Sequence, residues 1–407
     1  MRRNSDHPPQ PDSRFTQNVP VTPGSGRSTT WNRATHFIWS RLFLFAVAVG
    51  VSFALIYVET TTRLFFSFNA PRQIGDPCLT LIRPTKGPDA RAVWSNFGSC
   101  ATASRDPDRE TIEVDLRYGL LVHSKTEPLL PGALPLPFTR VLRNQDTVSR
   151  AFGAGGTHTY DMGLVGDAAR ITWVDLVLAG GGRVHYRPAR GQAWFDSQVE
   201  GYFGDTTLRW SGRDWRLQRD DGTELIFPES RNALRLEQTA LLGMRTADGN
   251  NLLVVERDRV GNILSLSVRD RKLEFAHDTI NRVTAISSND DGQLLRFEYD
   301  SAGCLRRQTG TGGEFQYDYD AREAGCRLTR TMHDGVTYFE AAYDADNRLI
   351  RLTNPTGGTY TFSYQTDGRG NVERMEVLDP EGTLRRVTLD DTGYWINRWG
   401  TYRAETR

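Results

Sequence analysis

Apolar and polar residues alternate in short runs along the C-terminal third of the chain. In one run, Phe315, Tyr317 and Tyr319 alternate with Gln316 and Asp318. An alternation with a period of two predicts a β-strand with one buried face. The same phase recurs in neighbouring runs, at Phe297 and Tyr299, at Tyr343, and at Tyr360, Phe362 and Tyr364. We expect these aromatic side chains, with those of the first run, to form the core of a repeat.

A polar turn follows each aromatic strand, and a second short strand follows the turn. The turns begin at Tyr299-Asp300, Tyr319-Asp320 and Tyr343-Asp344. Asp, Asn and Gly suit such turns because they supply local hydrogen bonds and tolerate positive φ. A repeat of roughly twenty residues predicts about six stacked β-hairpins, since one hairpin cannot hide its aromatic face alone. We therefore interpret the repeated tyrosine and aspartate as structural residues.

An apolar run without a charged residue occupies 42–58. With the apolar residues just upstream, it is long enough to cross the hydrocarbon of a membrane. Arginines precede it and Glu59 follows it, so the positive-inside rule places the N-terminus in the cytoplasm. We expect a transmembrane helix at 37–58 in the lipid bilayer of the inner membrane, with the body in the periplasm or outside the cell. A cleaved signal peptide and a buried helix are the alternatives.

Composition and pattern divide the rest of the chain. Residues 1–36 are rich in polar residues, Pro and Gly, which predicts a disordered cytoplasmic tail. We expect a stem at 59–110, a β-rich head at 111–250, the hairpin array at 251–394 and a C-terminal tail at 395–407. The predicted fold class is all-β, with a β-rich head followed by a curved strip of stacked hairpins and preceded by one transmembrane helix.

Charge and cysteine content add two expectations. Basic and acidic residues balance at 50 each, so nothing favours capture of nucleic acid and no such partner is expected. Four cysteines in an exported chain permit two disulfides, and Cys78 with Cys100 is one pairing. Cys304 and Cys326 occupy the same slot of successive repeats, where Cα atoms would lie about 9–10 Å apart, beyond the roughly 7 Å that a disulfide allows. Extra residues at 320–324 can bulge the turn and close that gap.

Motifs for catalysis are sparse. The seven histidines are scattered and no Cys-x-x-Cys occurs, so we expect neither a metal site nor a cofactor. Asp391-Thr392-Gly393 contains the tripeptide of aspartic proteases, and Asp379 can supply the second carboxylate of a proton-sharing pair. Both aspartates also fall where hairpin turns are due. We interpret them as turn residues.

The repeated residues resemble the YD-repeat units of the Rhs family of bacterial proteins. The fit is good from Tyr343 to Leu349, and segments upstream resemble the head that opens an Rhs core. These segments are Asp115 to Gly119, Pro131 to Leu136, Arg140, Phe152 to Gly155, and Tyr160-Asp161. Departures are Leu142 and the step at Gly155, where the family pattern has aromatic residues. The resemblance covers about residues 111–394.

This resemblance implies a truncated Rhs core without a toxin domain. Full-length cores are similar to a shell that ends in a self-cleaving region with aspartates and continues into a variable toxin. The favoured function is a membrane-anchored, extracytoplasmic scaffold or interaction module, linked to interbacterial competition. It would bind a protein or carbohydrate ligand on its β-surface. The alternatives are a residual aspartic autoprotease and an enzyme that acts on envelope glycans.

Overall fold

A computed structural model gives the fold of the chain over most of residues 110–389. Short gaps fall at 117, 131–132, 145, 167–171, 198–202, 204–205, 230–232, 321–324, 355, 369 and 371. Backbone alone is described for 72–73, 77–83, 93–99 and 395–403. The chain divides into two units, 1–60 and 61–407, and every described residue belongs to the second.

The described residues form strands and two short 3₁₀ helices, which confirms the all-β prediction. The helices are Thr159–Asp161 and Leu236–Thr239. The first nine strands are β1 (Arg72–Gln73), β2 (Pro77–Arg83), β3 (Val93–Ser99), β4 (Glu110–Asp115), β5 (Leu120–Thr126), β6 (Thr139–Arg143), β7 (Ser149–Arg150), β8 (Gly153–Ala154) and β9 (Gly156–His158). Six of them make one sheet in the order β3-β2-β4-β5-β6-β9, and β7 with β8 makes a small hairpin.

All later strands belong to a second, much longer sheet. They are β10 (Gly163–Gly166), β11 (Val174–Val177), β12 (Gly182–Pro188), β13 (Trp194–Ser197), β14 (Thr207–Trp210), β15 (Trp215–Gln218), β16 (Glu224–Phe227), β17 (Gly243–Arg245), β18 (Asn251–Arg257), β19 (Ile263–Val268), β20 (Arg271–His277), β21 (Val283–Ser288), β22 (Gly292–Tyr299), β23 (Leu305–Gly310), β24 (Phe315–Tyr319), β25 (Leu328–His333), β26 (Val336–Tyr343), β27 (Leu349–Thr353), β28 (Thr359–Thr366), β29 (Val372–Leu378), β30 (Thr383–Leu389) and β31 (Trp395–Arg403). Each pairs antiparallel with the next, and β1 adds a parallel pairing to β12.

The long sheet begins well before the predicted start of the hairpin array. Strand β10 starts at Gly163, inside the segment predicted as head, and the sheet passes residue 250 without a break because Met244 in β17 pairs with Leu253 in β18. Successive hairpins of this sheet therefore occupy both predicted regions. We call β2 to β9 the head and the long sheet from β10 onward the array.

One hydrophobic core joins head and array. Phe152 of the head packs edge-on against Phe297 of β22, with ring centroids 4.9 Å apart. Phe138 lies 5.5 Å from Phe275 of β20. These four rings are at most 6% exposed. The aromatic face of the array is thus covered by the aromatic face of the head, which is how the alternating strands bury their apolar side.

The transmembrane prediction falls outside the part of the chain that the structure describes. Within the described part, no helix is long and apolar enough to cross a membrane. The predicted span at 37–58 and the tail at 1–36 lie outside it. The transmembrane helix therefore stays a prediction.

Candidate functional site

The aspartate of the repeat closes its hairpin turn, as two examples show, one after His277 and one after Tyr343. Asp278 Oδ1 accepts the backbone N–H groups of Ile280 and Arg282 at 3.0 and 2.9 Å, and Asp278 Oδ2 accepts Arg282 Nε at 2.7 Å. Asp344 holds Arg348 in the same way, at 2.8 Å to the backbone nitrogen and 2.9 Å to Nε. Each of these carboxylates thus makes its hydrogen bonds within its own turn.

In three turns, an arginine then covers the tyrosine of the following hairpin. Arg282 lies 4.2 Å from the Tyr299 ring and Arg348 lies 5.3 Å from the Tyr364 ring. Arg327, which pairs with Asp320, covers Tyr343 at 5.3 Å. This geometry is a cation–π contact. We call the combination of aspartate, arginine and next tyrosine the inter-hairpin link.

The tyrosine hydroxyls complete the link by donating to backbone carbonyls one hairpin back. The pairs are Tyr299 to Val283 at 2.5 Å, Tyr319 to Leu305 at 2.8 Å, Tyr343 to Leu328 at 2.7 Å and Tyr364 to Leu349 at 2.8 Å. Burial raises the pKa of these hydroxyls, so they stay protonated as donors. The repeated tyrosines and aspartates therefore hold adjacent hairpins together.

The structure places the predicted repeat-core residues at two depths. Five are at most 3% exposed: Phe297, Phe315, Tyr317, Tyr360 and Phe362. Four are half-buried and pack against the core with their rings: Tyr299, Tyr319, Tyr343 and Tyr364. The half-buried set consists of the tyrosines that end their runs, and their hydroxyls make the inter-hairpin contacts.

A disulfide joins Cys304 and Cys326, with Cα atoms 5.4 Å apart. Equivalent slots would keep the two residues too far apart, but the extra residues of the Asp320 turn, which the sequence showed, make the slots inequivalent. The Asp300 turn closes with a hydrogen bond from Asp300 N to Cys304 O, whereas the longer Asp320 turn closes from Asp320 N to Arg327 O. Cys326 therefore lies one residue before the closing position. The side chain of Cys78 and all of Cys100 lie outside the described residues.

The head meets the array where each hairpin carries a β-bulge. Register shifts occur at His277, Tyr299, Tyr319 and Tyr343, the last residues of β20, β22, β24 and β26. A bulge interrupts the ladder and leaves a backbone group without its strand partner. Head residues bind the residue that follows three of these turns and the closing residue of the fourth turn.

Four consecutive hairpins are bound in this way, and we call this line of contacts the seam. Val283 N donates to Ala151 O at 2.8 Å, and Leu349 N donates to Gly119 O at 3.0 Å. Leu328 N donates to Asn144 Oδ1 at 3.1 Å. The fourth contact is a bridge between Gly153 and Cys304. Head and array thus share one backbone hydrogen-bonding system.

A buried polar network lies behind the seam. Arg140 Nε lies 3.2 Å from Glu127 Oε1, and Arg140 Nη2 donates to Gln308 Oε1 at 2.6 Å and to the Tyr317 hydroxyl at 2.5 Å. Gln308 Nε2 and Lys125 Nζ both donate to Glu127 Oε2, at 2.8 and 2.6 Å. All five residues are at most 6% exposed. Because charges and amides are paired across head and array, the network specifies their relative placement.

Electrostatics keep the carboxylate of this network ionised. Burial alone would raise the pKa of Glu127, but the charges of Lys125 and Arg140 and hydrogen bonds from Lys125 and Gln308 outweigh it and lower that pKa. Arg140 belongs to a head segment that the sequence pattern picked out. Glu127 and Gln308 lie outside those segments, and the contact between them joins residues 181 positions apart.

The structure describes one of the two candidate catalytic aspartates. Asp379 Oδ1 accepts the backbone N–H groups of Glu381 and Thr383, at 3.1 and 2.7 Å, in the turn between β29 and β30. Asp391 lies outside the described residues. Among the described residues, no cluster of three or more His, Cys, Asp or Glu side chains could hold a metal ion.

Fold and seam together define a class of protein, an antiparallel array of Tyr-Asp hairpins fastened to a β-rich head. Two family descriptions match its two parts: Teneurin YD-shell over residues 235–393 and a domain of unknown function (DUF6531) over residues 113–186. A relative that carries the Rhs name aligns over 91% of the chain at 23% identity. The chain belongs to the Rhs/YD-repeat family.

Individual relatives are similar over different lengths. The relative with the Rhs name is "Probable deoxyribonuclease RhsB" of Dickeya dadantii (strain 3937), of whose length the chain covers 27%. "Double-stranded DNA deaminase toxin A" of Burkholderia cenocepacia (strain H111) is 34% identical over 25% of this chain and 7% of its own length. A crystal structure of TcdB2-TccC3-Cdc42 aligns with 78% of this chain and 18% of its own chain at 11% identity, with a TM-score of 0.30.

Proposed function

We propose that the chain acts as a scaffold or interaction module of the Rhs/YD-repeat family, anchored in the inner membrane and displayed outside the cytoplasm. The observation that carries the scaffold role is the use of the repeat's polar groups. The Tyr-Asp carboxylates bind their own turns, and the tyrosine hydroxyls bind the preceding hairpin. Because these groups make hydrogen bonds that hold the array together, a structural role is favoured over a catalytic one.

The Cys304–Cys326 disulfide supports the proposed location. Disulfides form and persist in oxidising compartments such as the periplasm and the cell exterior, and are rare in the cytosol. The apolar run at 42–58 and its basic upstream flank give the same orientation. An anchored N-terminus in the cytoplasm and an exported body account for both observations.

The names of the relatives suggest a setting in interbacterial competition. Those relatives are named for a deoxyribonuclease and for a DNA deaminase, and the chain spans only 27% of the first. We propose that this chain supplies the structural part of such a system, binds a protein or carbohydrate ligand on its β-surface, and does not act on nucleic acid itself.

A DNA assay separates the scaffold from a toxin. Purified full-length chain should neither cleave nor deaminate plasmid DNA, read by gel mobility and by sequencing. It should also leave that DNA unretarded in a mobility shift, since its formal net charge is zero. Cleavage, deamination or a specific shift would contradict the proposal.

Mass spectrometry tests the autoprotease alternative. The turn contacts of Asp379 favour a structural aspartate, so the purified chain should keep its full length. Asp391→Asn should behave as wild type, since Asn serves a turn as Asp does. A fragment cut near residues 379–393 in wild type, and absent in the Asp391→Asn chain, would favour the protease instead.

A further inference from the structure

Among the four hairpins of the seam, one junction lacks the inter-hairpin link. In the turns that begin at Asp278, Asp320 and Asp344, the residue whose carbonyl closes the turn is an arginine, which binds the aspartate and covers the next tyrosine. In the turn that begins at Asp300, that position is Cys304. Tyr319, the tyrosine of the following hairpin, keeps its hydroxyl bond to Leu305.

The disulfide occupies the place of the missing link. Cys304 lies at the end of the turn between β22 and β23, and Cys326 lies in the turn between β24 and β25, so the bond joins two adjacent hairpins. An arginine link joins the same kind of neighbours at the other three junctions of the seam. The longer Asp320 turn brings Cys326 within reach, because it adds residues before the closing position at Arg327.

The same bond lies between two contacts of the seam. Cys304 itself bridges to Gly153 of the head. Two residues beyond Cys326, Leu328 donates to Asn144, whose amide in turn donates to the Tyr343 hydroxyl at 2.5 Å. The centre of the seam therefore rests on the junction that the disulfide holds.

We propose that the Cys304–Cys326 disulfide is a redox-dependent fastener, which replaces the arginine link at this junction and holds the centre of the head against the array only in its oxidised form. This regulation rests on the exported location proposed above. The chain would leave the cytoplasm with two thiols and an open junction. Oxidation outside would then close the junction.

The chemistry balances with a dithiol–disulfide exchange partner. In closing, both cysteines lose a proton and together two electrons, and the partner's disulfide is reduced to two thiols. In opening, one thiolate of a dithiol reductant attacks one sulfur, which expels the other cysteine as a thiol and leaves a mixed disulfide. The second thiol of the reductant then attacks the mixed disulfide, which expels the remaining cysteine thiol and leaves the reductant as a disulfide, its two protons having passed to the cysteines. Cys304 is 3% exposed and Cys326 6% exposed, so opening requires movement of the turns and should be slow.

Hydrogen exchange read by mass spectrometry tests the fastener on the purified full-length chain. Dithiothreitol should raise amide exchange at 299–310 and 325–333 on the array and at 144–154 on the head by about tenfold or more. The junction at Tyr343 to Leu349, which has an arginine link at Arg348, is the internal control and should keep its protection.

Three variants distinguish a fastener from a packing effect. Cys304→Ser with Cys326→Ser should show the raised exchange without reductant. Cys304→Arg with Cys326→Ser restores the residue type of the other turns, so it should regain protection and lose the response to reductant. Adding Asp300→Asn to that variant keeps the turn but removes the partner of the introduced arginine, and protection should fall again.

The outcomes separate this inference from the proposed location. Equal exchange in oxidised and reduced wild type, or no rescue by Cys304→Arg, would overturn the fastener. If the fastener behaves as expected but the body proves cytoplasmic in a fusion experiment, the location fails and the junction mechanism stands. If the body is exported and both cysteines alkylate freely in cells without reductant, the fastener is overturned while the location holds.

Discussion

Arg140 is a buried cation whose partners come from both the head and the array. Its guanidinium contacts Glu127 of the head and Gln308 and Tyr317 of the array. A buried charge is tolerated only when it is paired and hydrogen-bonded. Removal of a single hydrogen-bonding atom from this network should therefore lower the free energy of unfolding measurably.

Tyr317 gives the sharpest test of that network. Tyr317→Phe removes the hydroxyl that accepts from Arg140, and should lower the free energy of unfolding by about 1.5–3 kcal/mol. Tyr317→Ala also empties a core site and should cost about 3–5 kcal/mol. Gln316→Ala, on the opposite face of the strand, should cost no more than about 0.5 kcal/mol. Urea unfolding measures all three, and equal losses at both positions would mean that the two faces were misassigned.

The buried His158 should make the folded protein less stable in mild acid. It is fully buried beside Phe138, and burial lowers its pKa to about 4 from 6.5, despite the opposing charge of Asp161. Between these values the unfolded chain binds a proton that the folded chain does not bind. Stability is therefore unaffected by this group well above pH 6.5 and falls as the pH drops towards 4.

The matched variant is His158→Phe, which keeps an aromatic ring and removes the titration. When the pH falls from about 6.5 to about 5, the free energy of unfolding of wild type should drop by about 1.5 kcal/mol more than that of this variant. Urea unfolding at a series of pH values gives the difference. Parallel pH profiles would show that His158 does not carry the acid sensitivity.

At the scale of elements, the turn between β4 and β5 touches the array through Gly119. Its φ is +64°, and a Cβ there would lie 2.6 Å from Arg348 Cβ and 2.9 Å from the Tyr364 hydroxyl. The close approach lets Gly119 O accept the backbone N–H of Leu349. A side chain at this position would push head and array apart.

Gly119→Ala and Gly335→Ala form a matched pair for that contact. Gly335 also has a positive φ, +79°, but an added Cβ there meets nothing within 4 Å. Gly335→Ala should lower the free energy of unfolding by about 1–2 kcal/mol through backbone strain alone. Gly119→Ala should cost about 1–3 kcal/mol more, through displacement of the packed seam. Similar losses in thermal or urea unfolding would show that the approach at Gly119 is easily relieved.

At the scale of the whole molecule, membrane topology is the first test. The basic flank before residues 42–58 predicts an N-terminus in the cytoplasm and a body outside it. A reporter that is active only outside the cytoplasm, fused after Arg407, should be active. A reporter that works only in the cytoplasm should be inactive at the same position, and the reverse pattern would reject the orientation.

The sequence by itself determined the strands, the turns and the family. Alternation at Phe315 and Tyr317 predicted a buried face because a strand places successive side chains on opposite sides. The turn predictions held where positive φ was needed, as at Asn281 and Asn347. These features depend on backbone stereochemistry over a few residues, so a local pattern is enough to specify them.

Only the tertiary structure decided the seam, the start of the array and the pairing of Cys304 with Cys326. Arg140 and Gln308 are 168 residues apart in sequence, and no local pattern records which distant amide will meet a buried charge. The array begins at Gly163 because the short strands that follow it pair in the same ladder, although they lack the aromatic phase of the later hairpins. The sequence showed extra residues at 320–324 that could bring the cysteines together, and the fold decided that they do, because the longer turn closes at Arg327.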